Sequence, residues 1–493
     1  MVNWISVFLI FFPLTVALLV FTIKSSAVKW IAFISALLEL AATVVVLWQF
    51  ERNETVQFAI HIPWITSLGL NFSIGLDGIS LPLVLLTNLL TPLIILSAFE
   101  RNYSKPSTFY GLILTMQMAL VGVFMARDGL LFYLFWEMAL IPIYFICLIW
   151  GGEKRGKITL KFFIYTLAGS LFMLLALIYI YLQTPNRTFE MGALYETARA
   201  LGLHDQNLIF WAMFIAFAIK IPVFPLHTWQ PDTYTIAPPQ GTMLLSGIML
   251  KMGVFGLIRW MVPLAPLAFK EWQFAVVTLG AIGVIYGSVI AMVQKDYKRL
   301  IAYSSIAHVG LIAAGLLTWT TLGIQGAMIQ MLSHGIIAVG LFFIVDVISD
   351  RTQSQSMDEL GGIRNVAPVL ASVFIVVMLG SVALPLTSGF IGEFLLINSL
   401  FQYHNILGGV AGLTIILGAV YMLVAFQKGM SGETNSLTSE FKDLTAHEKW
   451  VLIPIVLLIL AIGIYPNWLL EISEPTVKNL IEMINQAPES TLP

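Results

Sequence analysis

Six ionisable side chains stand within runs of apolar residues, where a charge is expensive: Glu137 in LFYLFWEMALIP, Lys220 in AIKIPVFPLHTW, Lys251 in LLSGIMLKMGVFGL, His308 in SSIAHVG, His334 in QMLSHGII and Glu393 in SGFIGEFLL. A cation in the middle of a membrane span costs roughly 2.5–3.5 kcal/mol on insertion scales, so a lysine without a task is not expected there. Taken singly, each group has a plain reading: a buried histidine packs between helices, and a lysine and an acid neutralise one another. Spread over six separate runs, they have a common one. Burial moves ammonium and carboxyl groups toward neutral proton affinity, the range in which imidazole titrates, so acids, lysines and histidines in series can pass protons at physiological pH. Metal binding competes poorly, because the two histidines lie 26 residues apart on different runs without close ligand spacing. The lone Cys147 cannot supply the ligands of an iron–sulfur centre.

The elements that hold these groups follow from composition. With 58% hydrophobic and 11% charged residues and a mean hydropathy of +0.89, the chain lies far from a soluble domain, where about 25% of residues are charged. Runs of about 20 apolar residues, enough to cross the hydrocarbon core, recur throughout. They fall near 3–23, 28–50, 79–99, 108–126, 129–150, 158–183, 207–229, 239–262, 271–293, 297–319, 322–348, 367–402, 405–430 and 447–470. An all-α polytopic membrane protein of about fourteen transmembrane helices is expected. The first run has no basic residue before it and no small-residue cleavage pattern after it, so it reads as a retained span. Loops after odd-numbered runs carry fifteen Lys and Arg, those after even-numbered runs six. Cytoplasmic loops hold the basic excess, which places both termini on the outer side. A net charge of -2 argues against a nucleic-acid partner.

Pro222 and Pro225 interrupt the seventh run, and Pro385 with Ser388 and Gly389 interrupts the twelfth. Broken helices are tolerated at membrane depth only where the freed backbone faces protein or water, so both breaks mark an internal aqueous site. They lie five runs apart. Helices 4–8 and 9–13 then form two five-helix repeats, the second inverted because five is odd, as in secondary transporters. The divisions are 1–107 for helices 1–3, 108–262 for the first repeat, 271–430 for the second, and 447–493 for helix 14 and a short tail.

The elements LFYLFWE, KIPVFPLHTWQPD, LLSGIMLKMG, KRLIAYSSIAHVG, LSHGI and SGFIGEF resemble those of the antiporter-like subunits of respiratory complex I, the M-type (subunit four) group above all, from about Gly75 to about Phe394. The resemblance implies the fourteen-helix fold with inverted repeats and a proton channel along a central hydrophilic axis. It also implies roles: Glu137 and Lys220 as a coupled acid–lysine pair, Lys251 as the central lysine, His308 and His334 as connecting histidines, and Glu393 as the terminal acid. It implies L-type and N-type neighbours in a lipid bilayer, with NAD, FMN, iron–sulfur clusters and quinone held by partner subunits and no cofactor in this chain. L-type subunits continue into a long lateral helix, whereas this chain stops about twenty residues after the last run. N-type subunits, and their counterparts in multisubunit sodium/proton antiporters, are similar but have lysine where Glu393 stands. Related subunits of membrane-bound hydrogenases and formate hydrogenlyases are separated poorly. Three places depart from the pattern: IAPPQGTMLL, Leu386 where glycine is common, and Asp346 near the end of run eleven.

The remaining charges have local readings. Asp77 in GLDGIS caps a helix, Asp128 pairs with Arg127 at the interface, and Lys161 snorkels from the end of its run. Glu39, midway along run two, matches no family element and is either a partner contact or a snorkelling acid.

Overall fold

In the computed structural model, which describes residues 4–485, the apolar runs become a bundle of long helices. Residue 3 of the first run and the last eight residues of the 447–493 segment lie outside the described residues. The chain passes through α1 (Trp4–Thr22), α2 (Val28–Gln49), a hairpin of β1 (Gln57–Ile65) and β2 (Leu70–Leu76), α3 (Ser80–Ser97), α4 (Pro106–Met125), α5 (Gly129–Trp150) and α6 (Arg155–Gln183). Next come α7 (Met191–Ala200), α8 (Leu203–Lys220), α9 (Gln230–Ile236), α10 (Pro239–Leu264), α11 (Pro266–Met292) and α12 (Tyr297–Leu316). It ends with α13 (Thr321–Thr352), α14 (Pro368–Ser381), α15 (Ser388–Tyr403), α16 (Asn405–Met430), α17 (Ala446–Ile464) and α18 (Asn467–Asn485), short turns aside.

Twelve of the described helices are long and apolar enough to cross a membrane, and the chain is a multi-pass membrane protein. The seventh and twelfth expected runs are the interrupted ones, α8 with α9 and α14 with α15. α10 and α13 are enclosed along their whole apolar length, whereas α1, α2, α16 and α17 leave most of theirs facing outward. A helix that is apolar all round belongs in the interior, and these two carry Lys251 and His334.

Besides α9, which begins one residue past the seventh run, three elements lie outside the expected runs. The antiparallel hairpin, registered through Ile60 and Ile74, arises from short alternating segments that a search for long runs passes over. α7 and α18 are amphipathic; α18 buries Leu469, Ile472, Thr476, Leu480 and Ile484, spaced three and four apart, against α3 and α13. The fourteenth run therefore ends at Ile464 and not near 470, because Pro466 and Asn467 begin this separate helix.

Each break is satisfied internally. Pro222 has no N–H to offer Ala218, and the Val223 amide takes that carbonyl at 2.9 Å. The Trp229 indole donates to the next freed carbonyl, Ile219, at 2.8 Å. In the second break Ala383 and Leu386 adopt left-handed backbone, φ 55° and 73°, and Leu386 points outward, 67% exposed. That conformation explains why glycine suits position 386. It costs a non-glycine residue about 1–2 kcal/mol, offset in part by glycine's greater freedom in the unfolded chain. Leu386→Gly is therefore expected to leave the thermal inactivation temperature of the assembled protein unchanged or raised. A clear drop would show that the exposed leucine makes a stabilising contact.

Candidate functional site

Glu137 sits midway along α5, whose first turn is fixed by the Asp128 side chain accepting from the amides of Leu130 and Leu131. Lys220 is the last residue of α8, at the lip of the first break and 2% exposed. Its ammonium lies 5.2 Å from the ring centroid of Trp136, the neighbour of Glu137, in a cation–π contact. It has no hydrogen-bond partner among the described residues, nor has Glu137 Oε1, and the two form no direct ion pair. The resemblance pairs the two; the structure sets Lys220 against the ring next to Glu137 with no ion pair between them.

The other four groups are brought together. Lys251 Nζ lies 2.9 Å from His334 Nδ1 and donates to the Ser246 carbonyl at 2.6 Å. His334 Nε2 reaches Ser305 Oγ at 3.0 Å, and its ring centroid is 6.2 Å from that of His308. His308 Nδ1 in turn is 2.8 Å from Glu393 Oε1, close but without the alignment of a hydrogen bond, and Gln330 donates to the same oxygen at 3.3 Å. Small residues make this possible. A Cβ on Gly335 would lie 2.6 Å from the Gly247 carbonyl, so α10 and α13 approach backbone to backbone beside the Lys251–His334 contact. A Cβ on Gly392 would meet Gln330 Oε1 at 2.3 Å, which is why Gln330 can lie against Glu393. No side-chain hydrogen bond among the described residues links Lys220 to Lys251.

Ser305 and Gln330 are part of this chain but were not legible in the sequence, since uncharged polar residues on helices carry no signal that separates them from packing residues. His227, in the first break, is buried between Phe224 and Tyr286. Among the described residues no group of three or more His, Cys, Asp or Glu is arranged to hold a metal.

Two local readings change. Arg127 does not pair with Asp128. The extended backbone at Asp128, φ -123° and ψ 134°, turns adjacent side chains apart, and Arg127 reaches Asp77 at 3.5 Å instead. Asp77 accepts from the amides of Ile79 and Ser80, as a capping acid does, but also binds the buried Arg259 through both oxygens, at 2.7 and 2.5 Å. Glu39 does not snorkel. It lies mid-helix, fully buried, and neither oxygen has a partner among the described residues. Lys161 is near the end of its run as expected, donating to the Thr228 carbonyl beside the first break.

Comparison with known proteins is consistent over nearly the whole chain. Residues 126–418 match a family described as NADH:quinone oxidoreductase/Mrp antiporter, TM. The chain is 40% identical over 482 residues to NADH-quinone oxidoreductase subunit M of Rickettsia prowazekii (strain Madrid E), covering 97% of this chain and 98% of that one. It is 35% identical over 465 residues to subunit M of Rhodobacter capsulatus, covering 92% and 90%. Its fold superposes on a chain of respiratory complex I from Thermus thermophilus with bound NADH at a TM-score of 0.90 and 30% identity, over 97% of this chain and 99% of that one. A chain of the Mrp complex from Dietzia sp. DQ12-45-1b shares the fold alone, with a TM-score of 0.84 at 19% identity, over 98% of this chain and 52% of that one.

Proposed function

The chain belongs to the NADH:quinone oxidoreductase/Mrp antiporter family of membrane subunits, and on that footing we propose that it is the M-type proton-translocating subunit of an NADH:quinone oxidoreductase. The observation that carries the proposal is the enclosed series Lys251, His334, His308, Glu393, in which successive groups lie at contact or near-contact distance inside an otherwise apolar bundle. Such a series has no use in a passive scaffold, for which apolar residues would cost less. NAD, FMN, iron–sulfur clusters and quinone belong to partner subunits, and the neighbours in the membrane arm are the L-type and N-type antiporter-like subunits. The membrane is a bacterial inner membrane, with both termini outside. Helices 4–8 and 9–13 are read as inverted repeats because both breaks are present, five runs apart.

Glu137, Lys220, Lys251, His308, His334 and Glu393 are the proton path. When energy from quinone reduction draws Glu137 away from Lys220, the ammonium loses the opposite charge that favours it, and its isolation from hydrogen-bond acceptors favours release. The proton moves to Lys251, crosses the histidines and leaves from Glu393. Lifting one charge across about 100 mV costs about 2.3 kcal/mol, the scale of a shift of about two pKa units, roughly 2.7 kcal/mol, in one ammonium.

The proposal is tested by quinone-dependent acidification of proteoliposomes holding the native complex, with sodium varied. Pumping should be independent of sodium and should require electron transfer. Exchange driven by sodium without redox turnover would move the chain to the antiporter branch. Within the same assay Glu393→Gln is expected to lower protons pumped per electron while leaving assembly intact, since the amide keeps the shape but cannot carry the proton. Unchanged stoichiometry would remove Glu393 from the path.

A further inference from the structure

Two tyrosines tie α12 to α16, and the path from Glu137 to Glu393 makes no use of either. Tyr421, buried on α16, has its hydroxyl 2.9 Å from Ser304 Oγ of α12. Tyr297, the first residue of α12 and also buried, donates to the Ala425 carbonyl of α16 at 2.7 Å. Tyr297 and Ser304 are two turns apart on one helix, Tyr421 and Ala425 one turn apart on the other, so both bonds lie along a single seam. Gly429 leaves room for the second, since a Cβ there would collide with the Tyr297 hydroxyl.

The stretch of α12 beside this seam carries the path. Ser305 meets His334 Nε2 at 3.0 Å, and His308 Nδ1 lies 2.8 Å from Glu393 Oε1. Ser304 and His308, four apart, share a face, with Ser305 about 100° further round. Against α11 the helix packs backbone to backbone: a Cβ on Gly280 would lie 2.9 Å from the Gly310 carbonyl oxygen, and one on Gly287 2.8 Å from the Ala307 amide nitrogen. Such a contact sets how closely two helices approach, but it contains no bond with a direction and resists rotation weakly. Gln230 donates to the Ala302 carbonyl and Gln273 to the Leu317 carbonyl. Between those two points, among the described residues, side-chain hydrogen bonds from other helices reach α12 at Ser304 and Ser305 alone. The second belongs to the path itself. The rotation of this stretch therefore depends on Tyr421.

We propose that Tyr421 is a positioning residue for proton transfer from His308 to Glu393: paired with Ser304, it fixes the rotation of α12 about its own axis and so aims the imidazole at the carboxyl. This rests on the proton path proposed above and adds to it a residue that carries no proton. In the step concerned the N–H bond at His308 Nδ1 of an imidazolium breaks and an O–H bond forms at Glu393 Oε1, leaving a neutral imidazole and a carboxylic acid. His308 Nδ1 is within reach of that oxygen but out of line with it, and neither ring nitrogen has a hydrogen bond among the described residues to hold the ring. Its aim is inherited from the helix. A turn of about 12° carries an atom about 5 Å from a helix axis through about 1 Å. A misplacement of that size can cost about 10²-fold in rate.

The competing account is a plain structural tie between α12 and α16. Tyr421→Phe, Ser304→Ala and the two together are compared with wild type in proteoliposomes of the whole complex, in water and in deuterium oxide at matched electron-transfer rates, beside Tyr297→Phe and Glu393→Gln. Tyr421→Phe should slow acidification by about tenfold and enlarge the further slowing in deuterium oxide, because proton transfer then limits the rate. Ser304→Ala should do the same, and the pair no more than either alone, since each removes one and the same bond. Tyr297→Phe loses a hydroxyl bond between the same two helices, but at an end of α12 that Lys298 and Arg299 also hold, through the Ala237 carbonyl and Asp232. It should keep most of the pumping and the wild-type isotope effect. An equal loss in Tyr297→Phe, losses at 304 and 421 that multiply, a loss without a larger isotope effect, or no loss would each overturn the positioning role. If either single variant fails to assemble, the pair, which leaves neither hydroxyl unmatched, is measured in its place. Full pumping in Glu393→Gln would overturn the proton path itself; pumping impaired there but unaltered in Tyr421→Phe would overturn the positioning role alone.

Discussion

Replacing Lys220 with methionine is expected to abolish proton pumping coupled to quinone reduction while the complex still assembles. Methionine keeps most of the side chain's length and its packing beside the Trp136 ring; it gives up the cation–π contact but removes a buried charge with no hydrogen-bond partner among the described residues, so no hydrogen bond is lost. What disappears is the buried ammonium at the lip of the first break, beside the ring next to Glu137. Positioned proton-transfer groups contribute about 10²–10⁴ in rate, so acidification at matched electron-transfer rate should fall to the leak of empty vesicles. Retained pumping in a fully assembled variant would show that the proton does not pass Lys220.

A loss of a different kind is expected at Asp77. Asp77→Ala leaves the buried Arg259 guanidinium without its carboxylate, and breaking one partner out of a buried pair costs about 3–5 kcal/mol. Little intact complex should then be recovered on native gels, and Asp77→Ala with Arg259→Met should recover most of it; failure of the pair to recover would mean that Asp77 acts chiefly through the amides of Ile79 and Ser80. The pH dependence has a defined sign. Burial opposes the Asp77 charge, but Arg259, Arg127 and the two amides outweigh burial and hold its carboxyl below the ordinary 3.8. A depressed carboxyl stabilises the folded state above its unfolded value and loses that contribution as pH falls through the folded one. The stability gap between wild type and Asp77→Asn should therefore stay constant from about pH 7 to about pH 5 and close only in stronger acid. A gap already closing near neutrality would contradict the ion-pair assignment.

The sequence by itself determined that the chain is a helical membrane protein, where two of its helices break, and which six ionisable groups stand within its apolar runs. Those conclusions rest on local quantities: run length against bilayer thickness, the missing proline N–H, and the cost of a charge in hydrocarbon. The hairpin and the amphipathic α7 and α18 escaped because their apolar residues alternate or recur on one face without forming a long run. Which groups touch was decided only in three dimensions. Lys251 meets His334 because Gly247 and Gly335 let two helices from distant parts of the chain close together, and Arg127 turns to Asp77, not to its neighbour Asp128, because of backbone direction. Contact between residues far apart in sequence depends on how whole helices pack, and single-sequence periodicity holds no record of which faces meet. The same holds for Glu39 and Asp346, equally conspicuous as acids in apolar runs. One is enclosed without a partner among the described residues, while the other is held by Arg101.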